Sequence, residues 1–349
     1  MYKDRTIIKE ASLIEALKKM DALDKKLLIV LEEESFYGLI SAGDIQRAII
    51  NNKPLSTSVK DVLRDNIKVA TENDEFNDIK NMMVKFRMEL CPVIDDNRNI
   101  TKVFFWEDLF STEKPETLEK FNLPVVIMAG GYGTRMRPLT YVIPKPLIPI
   151  DDKTMLEQIF ERFRIYGCDQ FHISVNYKAD LIEYYLNELQ LPFTANLFKE
   201  SKPSGTAGSL SLLKGKIKTP FFVTNCDILV EQDYSEILKY HREQKNDITI
   251  VAALKNYAIP YGTIETSEGG QLKSISEKPD LTFKINSGMY ILQPEMINEI
   301  PENTFYHITD LIEKIITNGG KVGVFPISEN SWKDVGVWEE YLKICKINA

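Results

Sequence analysis

From Pro124 onward, short apolar segments alternate with segments in which apolar residues recur every three or four positions. The first kind is typical of buried strands and the second of amphipathic helices. The apolar segments predict strands at Val125–Ala129, Phe171–Val175, Pro220–Asn225, Asp247–Leu254 and Val322–Phe325. The periodic segments predict helices at Thr154–Tyr166, Ala179–Leu189, Tyr234–Gln244, Ile308–Thr317 and Val337–Ile344. This alternation predicts an α/β domain with a mainly parallel sheet, whose ligands collect at the carboxyl ends of the strands.

The N-terminal third repeats one pattern with an offset of about 64 residues. Each copy reads as a helix, two strands and a second helix. The strands are predicted at Leu27–Leu31 and Tyr37–Ile40 in the first copy, and at Cys91–Asp95 and Ile100–Phe105 in the second. A helix–strand–strand–helix unit written twice resembles a pair of CBS motifs, which pack into a small module that senses adenine nucleotides.

One copy of this repeat carries a candidate ligand site. Gly38, Ser41 and Asp44 match the pattern G-h-h-[ST]-x-x-D of CBS pairs, where h is apolar. The resemblance implies that the Ser41 hydroxyl lies near a phosphate and that Asp44 binds ribose hydroxyls. Lys102 and Phe105 stand at the glycine and hydroxyl positions of the second copy. We therefore expect at most one pocket for an adenine nucleotide, and a structural or dimerising role is an equal alternative.

A glycine-rich segment follows the first apolar strand of the second domain. It reads AGGYGTR over residues 129–135, and Lys145 follows between two prolines. Glycines let the backbone approach an anion closely, while Arg135 and Lys145 would place two cations beside a polyphosphate. Neither the GxxxxGK[ST] loop nor the GxGxxG loop matches this segment. The segment therefore predicts a polyphosphate site of another type.

From Gly130 to Pro146 the chain matches GGxGTRxxPLTxxxPKP, and it thereby resembles the nucleotide-sugar pyrophosphorylases, or sugar-1-phosphate nucleotidyltransferases. That family transfers a nucleotidyl group from an NTP to a sugar 1-phosphate and releases pyrophosphate. The resemblance implies a Rossmann-like nucleotidyltransferase domain in which Arg135 steadies the pyrophosphate and Lys145 the α-phosphate. It also implies a set of nucleotide-binding residues: Ala129, Gly130, Gly131, Gly133 and Thr134.

Two aspartates follow later in the chain. Asp227 ends the run FFVTNCD, and Asp334 stands in WKDVG. A lone aspartate after a strand is more often a helix cap, but two carboxylates that meet across a sheet repel each other unless a cation lies between them. Mg²⁺ prefers such oxygen ligands and commonly binds one or two carboxylates together with substrate phosphates. The resemblance implies that Asp227 and Asp334 hold a catalytic Mg²⁺.

Further segments are assigned by the resemblance to the base and the sugar. Gly205 and Thr206 lie in the turn SGTAG, which the resemblance places beside the nucleobase. Its GTAG form is similar to that of guanylyl-transferring members, and of some adenylyl- or cytidylyl-transferring ones. It differs from the GLAQA form of thymidylyltransferases. The other implied positions lie downstream: Gly262, Glu277 and Asn286 at the sugar, and Lys278, as a catalytic residue, at its phosphate.

The two resemblances together indicate a class of substrates. A chain with both features resembles the CBS-fused guanylyltransferases that act on glucosamine 1-phosphate in bacterial legionaminic acid biosynthesis. GTP and glucosamine 1-phosphate are therefore the expected substrates, and mannose 1-phosphate or another sugar 1-phosphate is the alternative acceptor. A non-catalytic, nucleotide-sensing regulator built on an inactive transferase fold is the alternative of another class.

Length and charge complete this picture. The 349 residues suffice for two domains, and we assign 1–118 to the CBS pair, 119–123 to a linker and 124–349 to the nucleotidyltransferase domain. The formal net charge of −8 argues against nucleic acid or an anionic membrane as a partner, and no apolar run is long enough for a transmembrane helix. The four cysteines are far apart, which favours a reducing cytoplasm. A homo-oligomer is also expected.

Overall fold

The computed structural model describes residues 2–65, 67–86, 88–109 and 119–345. The chain divides into two compact units, Met1–Thr117 and Leu118–Ala349. Each unit is described by itself. The stretch 110–118, the end of the predicted CBS pair, lies outside the described residues.

The N-terminal unit contains the same small sheet twice. In chain order its elements are β1 (Thr6–Ile8), α1 (Leu13–Leu23), β2 (Leu27–Glu32), β3 (Ser35–Ser41), α2 (Ala42–Ile50), β4 (Ala70–Thr71), α3 (Phe76–Phe86), β5 (Leu90–Ile94), β6 (Ile100–Phe105) and α4 (Trp106–Leu109). The sheets are β1-β2-β3 and β4-β5-β6, and in both the first two strands are parallel and the last two antiparallel. The predicted repeat is therefore present, with one short strand added at the start of each copy.

The C-terminal unit is built around one large sheet. The strands of this unit, in the large sheet and in smaller ones, are β7 (Val125–Met128), β8 (Pro149–Ile150), β9 (Lys153–Thr154), β10 (Gln170–Val175), β11 (Thr194–Lys199), β12 (Phe221–Asn225), β13 (Ile228–Val230), β14 (Ile248–Ala258), β15 (Thr263–Thr266), β16 (Leu272–Ser276), β17 (Asp280–Leu292), β18 (Val322–Ser328) and β19 (Trp332–Asp334). Its helices are α5 (Met155–Arg164), α6 (Ala179–Glu188), α7 (Tyr234–Glu243), α8 (Ile308–Thr317) and α9 (Trp338–Ile344).

The large sheet has seven strands in the order β11-β10-β7-β12-β17-β14-β18. Of these, β17 runs antiparallel to the rest, so the predicted α/β fold with a mainly parallel sheet is confirmed. All five predicted strands lie in this sheet, but β11 and β17 were not predicted. Both present largely polar or exposed residues over much of their length, because β11 is an edge strand and the first half of β17 leaves the core. Residues 286–288, which had the composition of a loop, lie inside β17.

Apolar faces of the helices complete the core. Ile308, Leu311 and Ile315 of α8 are buried against Phe221 and Leu292 of the central strands. The spacing of three and four residues puts them on one face of the helix, as the sequence predicted. Within the described ranges, no helix is both long and apolar enough to cross a membrane.

The stretch 119–123, predicted as a linker, packs on the C-terminal unit. The ring of Phe121 stacks on Tyr166 and Phe222, with centroid distances of 5.1 and 5.5 Å, and Leu123 is buried. These two apolar residues follow a charged sequence and are spaced so that both reach the core. Because the preceding residues are charged, the sequence predicted a linker here rather than a segment that packs on the core.

Acid should destabilise the C-terminal unit through His241. The ring is fully buried and contacts the Thr249 hydroxyl at 2.9 Å and the Gln293 amide at 3.0 Å. Burial lowers the pKa of His241 from 6.5 to about 4. The unfolded chain therefore binds a proton that the folded chain excludes, and stability falls as the pH drops from the unfolded value towards the folded one. We expect this group to remove about 3 kcal/mol from the free energy of unfolding over that range.

The measurement is urea unfolding as a function of pH. His241→Gln should flatten the curve over the same range. A slope that is unchanged in the variant would contradict the assignment.

Candidate functional site

Two aspartates lie side by side at the small sheet formed by β13 and β19. Asp227 follows β12, and Asp334 ends β19. The strand β13 pairs antiparallel with β19 so that Ile228 lies opposite Asp334, and the Val335 amide donates to the Asp227 carbonyl at 2.9 Å. The pairing therefore brings side by side two carboxylates that are more than a hundred residues apart in sequence. These are the two aspartates that the resemblance pairs as magnesium ligands.

Two cations of the glycine-rich segment reach this acidic pair. Arg135 donates from Nη1 to Asp334 Oδ2 at 2.9 Å and from Nη2 to Asp227 Oδ2 at 3.1 Å. The ammonium of Lys145 is hydrogen-bonded to the same Asp227 oxygen. Burial opposes the charge of Arg135, but the hydrogen bond and charge of Asp334 and the charge of Asp227 raise the pKa of Arg135 above its ordinary value. The four side chains form a charge-balanced cluster, which we call the acid–base quartet.

Burial differs across the quartet. The Asp227 side chain is 7% exposed and that of Lys145 10% exposed, whereas Asp334 is 18% exposed and Arg135 54% exposed. Asp227 and Lys145 thus form a buried ion pair, and Arg135 is the part of the quartet that faces outward. An outward guanidinium is suited to an incoming anion.

Gly336 closes this cluster from the C-terminal side. Its amide donates to Asp334 Oδ1 at 3.0 Å. A Cβ at this position would contact Asp227 Oδ2 and Lys145 Nζ and would lie 2.9 Å from Asp334 Oδ1. Gly336 stands two residues after Asp334 in the WKDVG segment, and the sequence predicted no role of its own for it.

The glycine-rich segment is held from several sides. The Ala129 amide donates to the Ser174 carbonyl at 3.0 Å. Gly133 has φ +63°, and a Cβ there would lie 2.8 Å from Thr140 Cγ2. A Cβ on Gly131 would meet no atom within 4 Å, so this glycine faces open space. Thr134 then begins the single 3₁₀ turn that carries Arg135.

A buried glutamate that the sequence analysis missed lies beside this segment. Glu200 follows β11 and is 6% exposed. Its carboxylate accepts hydrogen bonds from the Ser174 hydroxyl and, at 3.0 Å, from the Ser204 amide. The close approach of its carboxylate to Gly130 leaves no room there for a Cβ. The available signal was its position four residues before the SGTAG turn, but neither β11 nor a role for Glu200 was predicted.

The predicted base-binding turn packs on the start of α8. A Cβ on Gly205, whose φ is +79°, would lie 2.6 Å from the Tyr306 carbonyl oxygen. Thr206 Oγ1 accepts a hydrogen bond from the Ile308 amide at 2.9 Å. The Thr206 hydroxyl therefore caps this helix, and its position is fixed by the fold.

The predicted sugar-side residues fall into two groups. Asn286 lines a pocket together with Arg135, Asp227 and Asp334, so the structure joins it to the quartet. Gly262 and Glu277 are neighbours, since a Cβ on Gly262 would lie 3.0 Å from Glu277 Oε2. Together with Lys278, they belong to the exposed region around β15 and β16, and among the described residues none of the three lines the pocket.

The candidate residues of the N-terminal unit already have partners. Ser41 and Asp44 form the capping box that starts α2. Asp44 is buried and is bound by Arg47 and, through two nitrogens at 2.8 and 3.2 Å, by Arg64. A Cβ on Gly38 would lie 2.9 Å from Leu63 Cδ1.

A cavity of about 380 Å³ lies beside these residues. Three cations line it, Lys60, Arg64 and Arg98, together with the rings of Phe36 and Tyr37. Arg64 thus links the cavity to Asp44. Gly38, Ser41 and Asp44 are not among the described residues that line it.

Comparison with known proteins decides the family of the C-terminal unit. The profile of the Nucleotidyl transferase family matches residues 124–348. The chain belongs to this family.

Two curated relatives illustrate the range of this family. The chain is 29% identical over 229 residues to mannose-1-phosphate guanylyltransferase 1 of Arabidopsis thaliana, which covers 63% of this chain and 63% of that protein. It is 32% identical over 242 residues to the UTP–glucose-1-phosphate uridylyltransferase of Synechocystis sp., which covers 63% of this chain and 61% of the relative. The chain thus spans less than two thirds of the length of these nucleotidyl transferases.

The crystal structure of HddC from Yersinia pseudotuberculosis has the same nucleotidyl transferase fold. The TM-score is 0.51 at 28% identity, and the match covers 64% of this chain and 98% of HddC. HddC in complex with GMP-PN also matches, with a TM-score of 0.50 at 26% identity. These matches confirm the α/β class of the C-terminal unit.

Proposed function

We propose that the chain is a sugar-1-phosphate nucleotidyltransferase, which joins a nucleotidyl group from an NTP to a sugar 1-phosphate and releases pyrophosphate. The observation that carries this proposal is the acid–base quartet at the end of the glycine-rich segment. It combines two carboxylates, two cations and an open glycine backbone at the carboxyl edge of the sheet, where ligands of such folds bind. The presence of Arg135, Lys145, Asp227 and Asp334 in one cluster argues against a regulator without turnover.

The residues act by position and charge. The sugar phosphate oxygen is already anionic, so no side-chain nucleophile is needed, and catalysis consists of aligning two anions and stabilising the charge that develops. Lys145 holds the α-phosphate, and Arg135 turns from the carboxylates to the departing pyrophosphate. Lys278, in the exposed region around β15 and β16, binds the incoming sugar phosphate. Asn286, Glu277 and Gly262 contact the sugar.

The two carboxylates fit a magnesium ion. Among the described residues no three His, Cys, Asp or Glu side chains form a metal cluster, so Asp227 and Asp334 would supply two oxygen ligands and the phosphates the others. When bound, Mg²⁺ neutralises phosphate charge and orients the reacting oxygens. Before the substrates bind, Arg135 and Lys145 hold the two carboxylates in place through the contacts described above.

Glu200 favours GTP among the four nucleotides. An ionised carboxylate accepts hydrogen bonds and donates none. The guanine edge offers two adjacent donors, its ring N1–H and its exocyclic amine, whereas the other bases offer one donor beside an acceptor. The GTAG turn is consistent with this choice. We propose glucosamine 1-phosphate as the acceptor, by resemblance to CBS-fused guanylyltransferases of legionaminic acid biosynthesis, and mannose 1-phosphate as the second candidate, which the Arabidopsis relative supports by its name.

Glu200→Gln should lower kcat/KM for GTP by about tenfold or more, because an amide presents a donor where guanine also presents one. The ratio of GTP to UTP turnover should fall with it. The measurement is pyrophosphate release with each nucleotide at a fixed sugar 1-phosphate. Ser204→Ala is the matched control, since it keeps the backbone amide that binds Glu200. Equal losses for GTP and UTP would show that Glu200 is only structural.

The test of the function is a matrix of four NTPs against glucosamine, glucose, mannose and N-acetylglucosamine 1-phosphates, read by pyrophosphate release with Mg²⁺. GTP with glucosamine 1-phosphate should give the highest rate. Dominance of UTP or dTTP would overturn the guanylyl assignment. Nucleotide binding without turnover in any pair would favour the sensor instead.

We also propose that the N-terminal unit is a CBS pair that binds one adenine nucleotide. Its repeated sheet and its cavity with three cations and two rings support this proposal, since phosphates and a base need such partners. Arg64 would release Asp44 for the ribose when it binds the phosphate. Calorimetry of the full chain with AMP and ATP tests it. Binding should be lost in Arg64→Ala and kept in Lys53→Ala, and no heat with either nucleotide would exclude it.

A further inference from the structure

The segment from β19 to α9 contacts two parts of the candidate site. We call the part around Arg135 the nucleotide half and the part around Asn286 the acceptor half. Asp334 stands at its centre and binds Arg135. One tryptophan lies on either side, Trp332 two residues before Asp334 and Trp338 four residues after it. Each indole N–H donates to a backbone carbonyl of a different half of the site, and neither tryptophan has a role in the reaction proposed above.

Trp338 holds the nucleotide half. Its Nε1 donates to the Arg137 carbonyl at 3.0 Å. Arg137 immediately follows the 3₁₀ turn that carries Arg135, so the indole fixes the backbone two residues beyond the guanidinium. This bond ties the backbone beside Arg135 to the C-terminal segment, which the Arg135 side chain also contacts through Asp334.

Trp332 holds the acceptor half in the same manner. Its Nε1 donates to the Ser287 carbonyl, also at 3.0 Å. Ser287 is buried in β17 beside Asn286, and both residues line the pocket that contains Asp227 and Asp334. The indole therefore fixes the strand that presents Asn286 to the pocket.

We propose that Trp332 and Trp338 are positioning residues that set, separately, the acceptor half and the nucleotide half of the site relative to Asp334. This inference rests on the proposed function for the identity of the two substrates. Both bonds are neutral and equal in length, and both end on a backbone carbonyl. The two tryptophans thus form a matched pair whose effects differ by the half that each one holds.

The test uses Trp338→Phe and Trp332→Phe in the full chain, because phenylalanine keeps an aromatic ring and removes the N–H. Losing one neutral hydrogen bond should shift an affinity by about fivefold. Trp338→Phe should raise the KM for GTP by about this factor and leave the KM for glucosamine 1-phosphate within about twofold. Trp332→Phe should do the reverse. Calorimetric titration with GTP alone provides a second readout that needs no turnover.

The outcomes separate this inference from the proposed function. Equal shifts of both KM values in both variants, or a lower thermal midpoint with both KM values unchanged, would reduce the tryptophans to structural residues. If the wild type turns over no substrate pair, the proposed function fails, and weaker GTP binding in Trp338→Phe than in Trp332→Phe would still support the nucleotide half. Equal GTP affinities of the two variants, or no GTP binding by the wild type, would overturn the role proposed for Trp338.

Discussion

Asp227→Asn should lower kcat by about a thousandfold and destabilise the C-terminal unit at the same time. The rate falls because, in the proposed mechanism, Asp227 is an oxygen ligand of Mg²⁺ and the partner that aligns Lys145. Stability falls because Lys145, whose side chain is only 10% exposed, loses its buried counterion. Removing one member of a buried pair costs about 3–5 kcal/mol.

The matched control is Asp334→Asn. Asp334 pairs with Arg135, whose side chain is 54% exposed, so water can replace the lost partner. We expect a comparable loss of rate and a free energy of unfolding within about 1 kcal/mol of the wild type. Pyrophosphate release at saturating Mg²⁺ and urea unfolding measure the two effects.

A third variant isolates the buried charge. Lys145→Met in the Asp227→Asn background should recover part of the lost stability and none of the lost rate, because it removes the cation left without a partner. Asp227→Asn with unchanged stability, or with turnover near that of the wild type, would contradict the quartet as described.

Gly336→Ala should lower turnover by at least about a hundredfold. The added methyl group would occupy the space between Asp227, Lys145 and Asp334, and the nearest Asp334 oxygen would be 2.9 Å away. Two of these groups form the buried ion pair, so neither can swing into water without breaking it. The quartet must therefore open, and the carboxylates lose the alignment on which the proposed mechanism depends.

Gly43→Ala is the matched control. Gly43 lies in α2 of the N-terminal unit, and a Cβ there would meet its nearest atoms at 3.7 and 3.8 Å, which is ordinary contact. Pyrophosphate release by this variant should equal that of the wild type. If Gly336→Ala kept a tenth of wild-type turnover, the packing around the quartet would be looser than the structure shows.

The sequence predicted those elements whose burial follows a simple period. The five strands that were predicted are mostly apolar, and the helices that flank them have apolar residues spaced three and four apart. The edge strand β11 and the long antiparallel β17 escaped because much of their surface is polar or exposed. No role was predicted for Glu200 for the same reason, since it directly follows β11, which was not predicted.

The sequence by itself determined the glycine-rich segment, its two cations and the two aspartates, because each lies in a short, continuous motif. It also determined the internal repeat and the class of fold. Only the tertiary structure decided that Arg135 bridges both aspartates and that Lys145 is buried against one of them. Glu200, Gly336, Trp332 and Trp338 likewise gained their roles only in three dimensions. Pairing of β13 with β19 joins residues more than a hundred positions apart, and no local pattern encodes a contact over that separation.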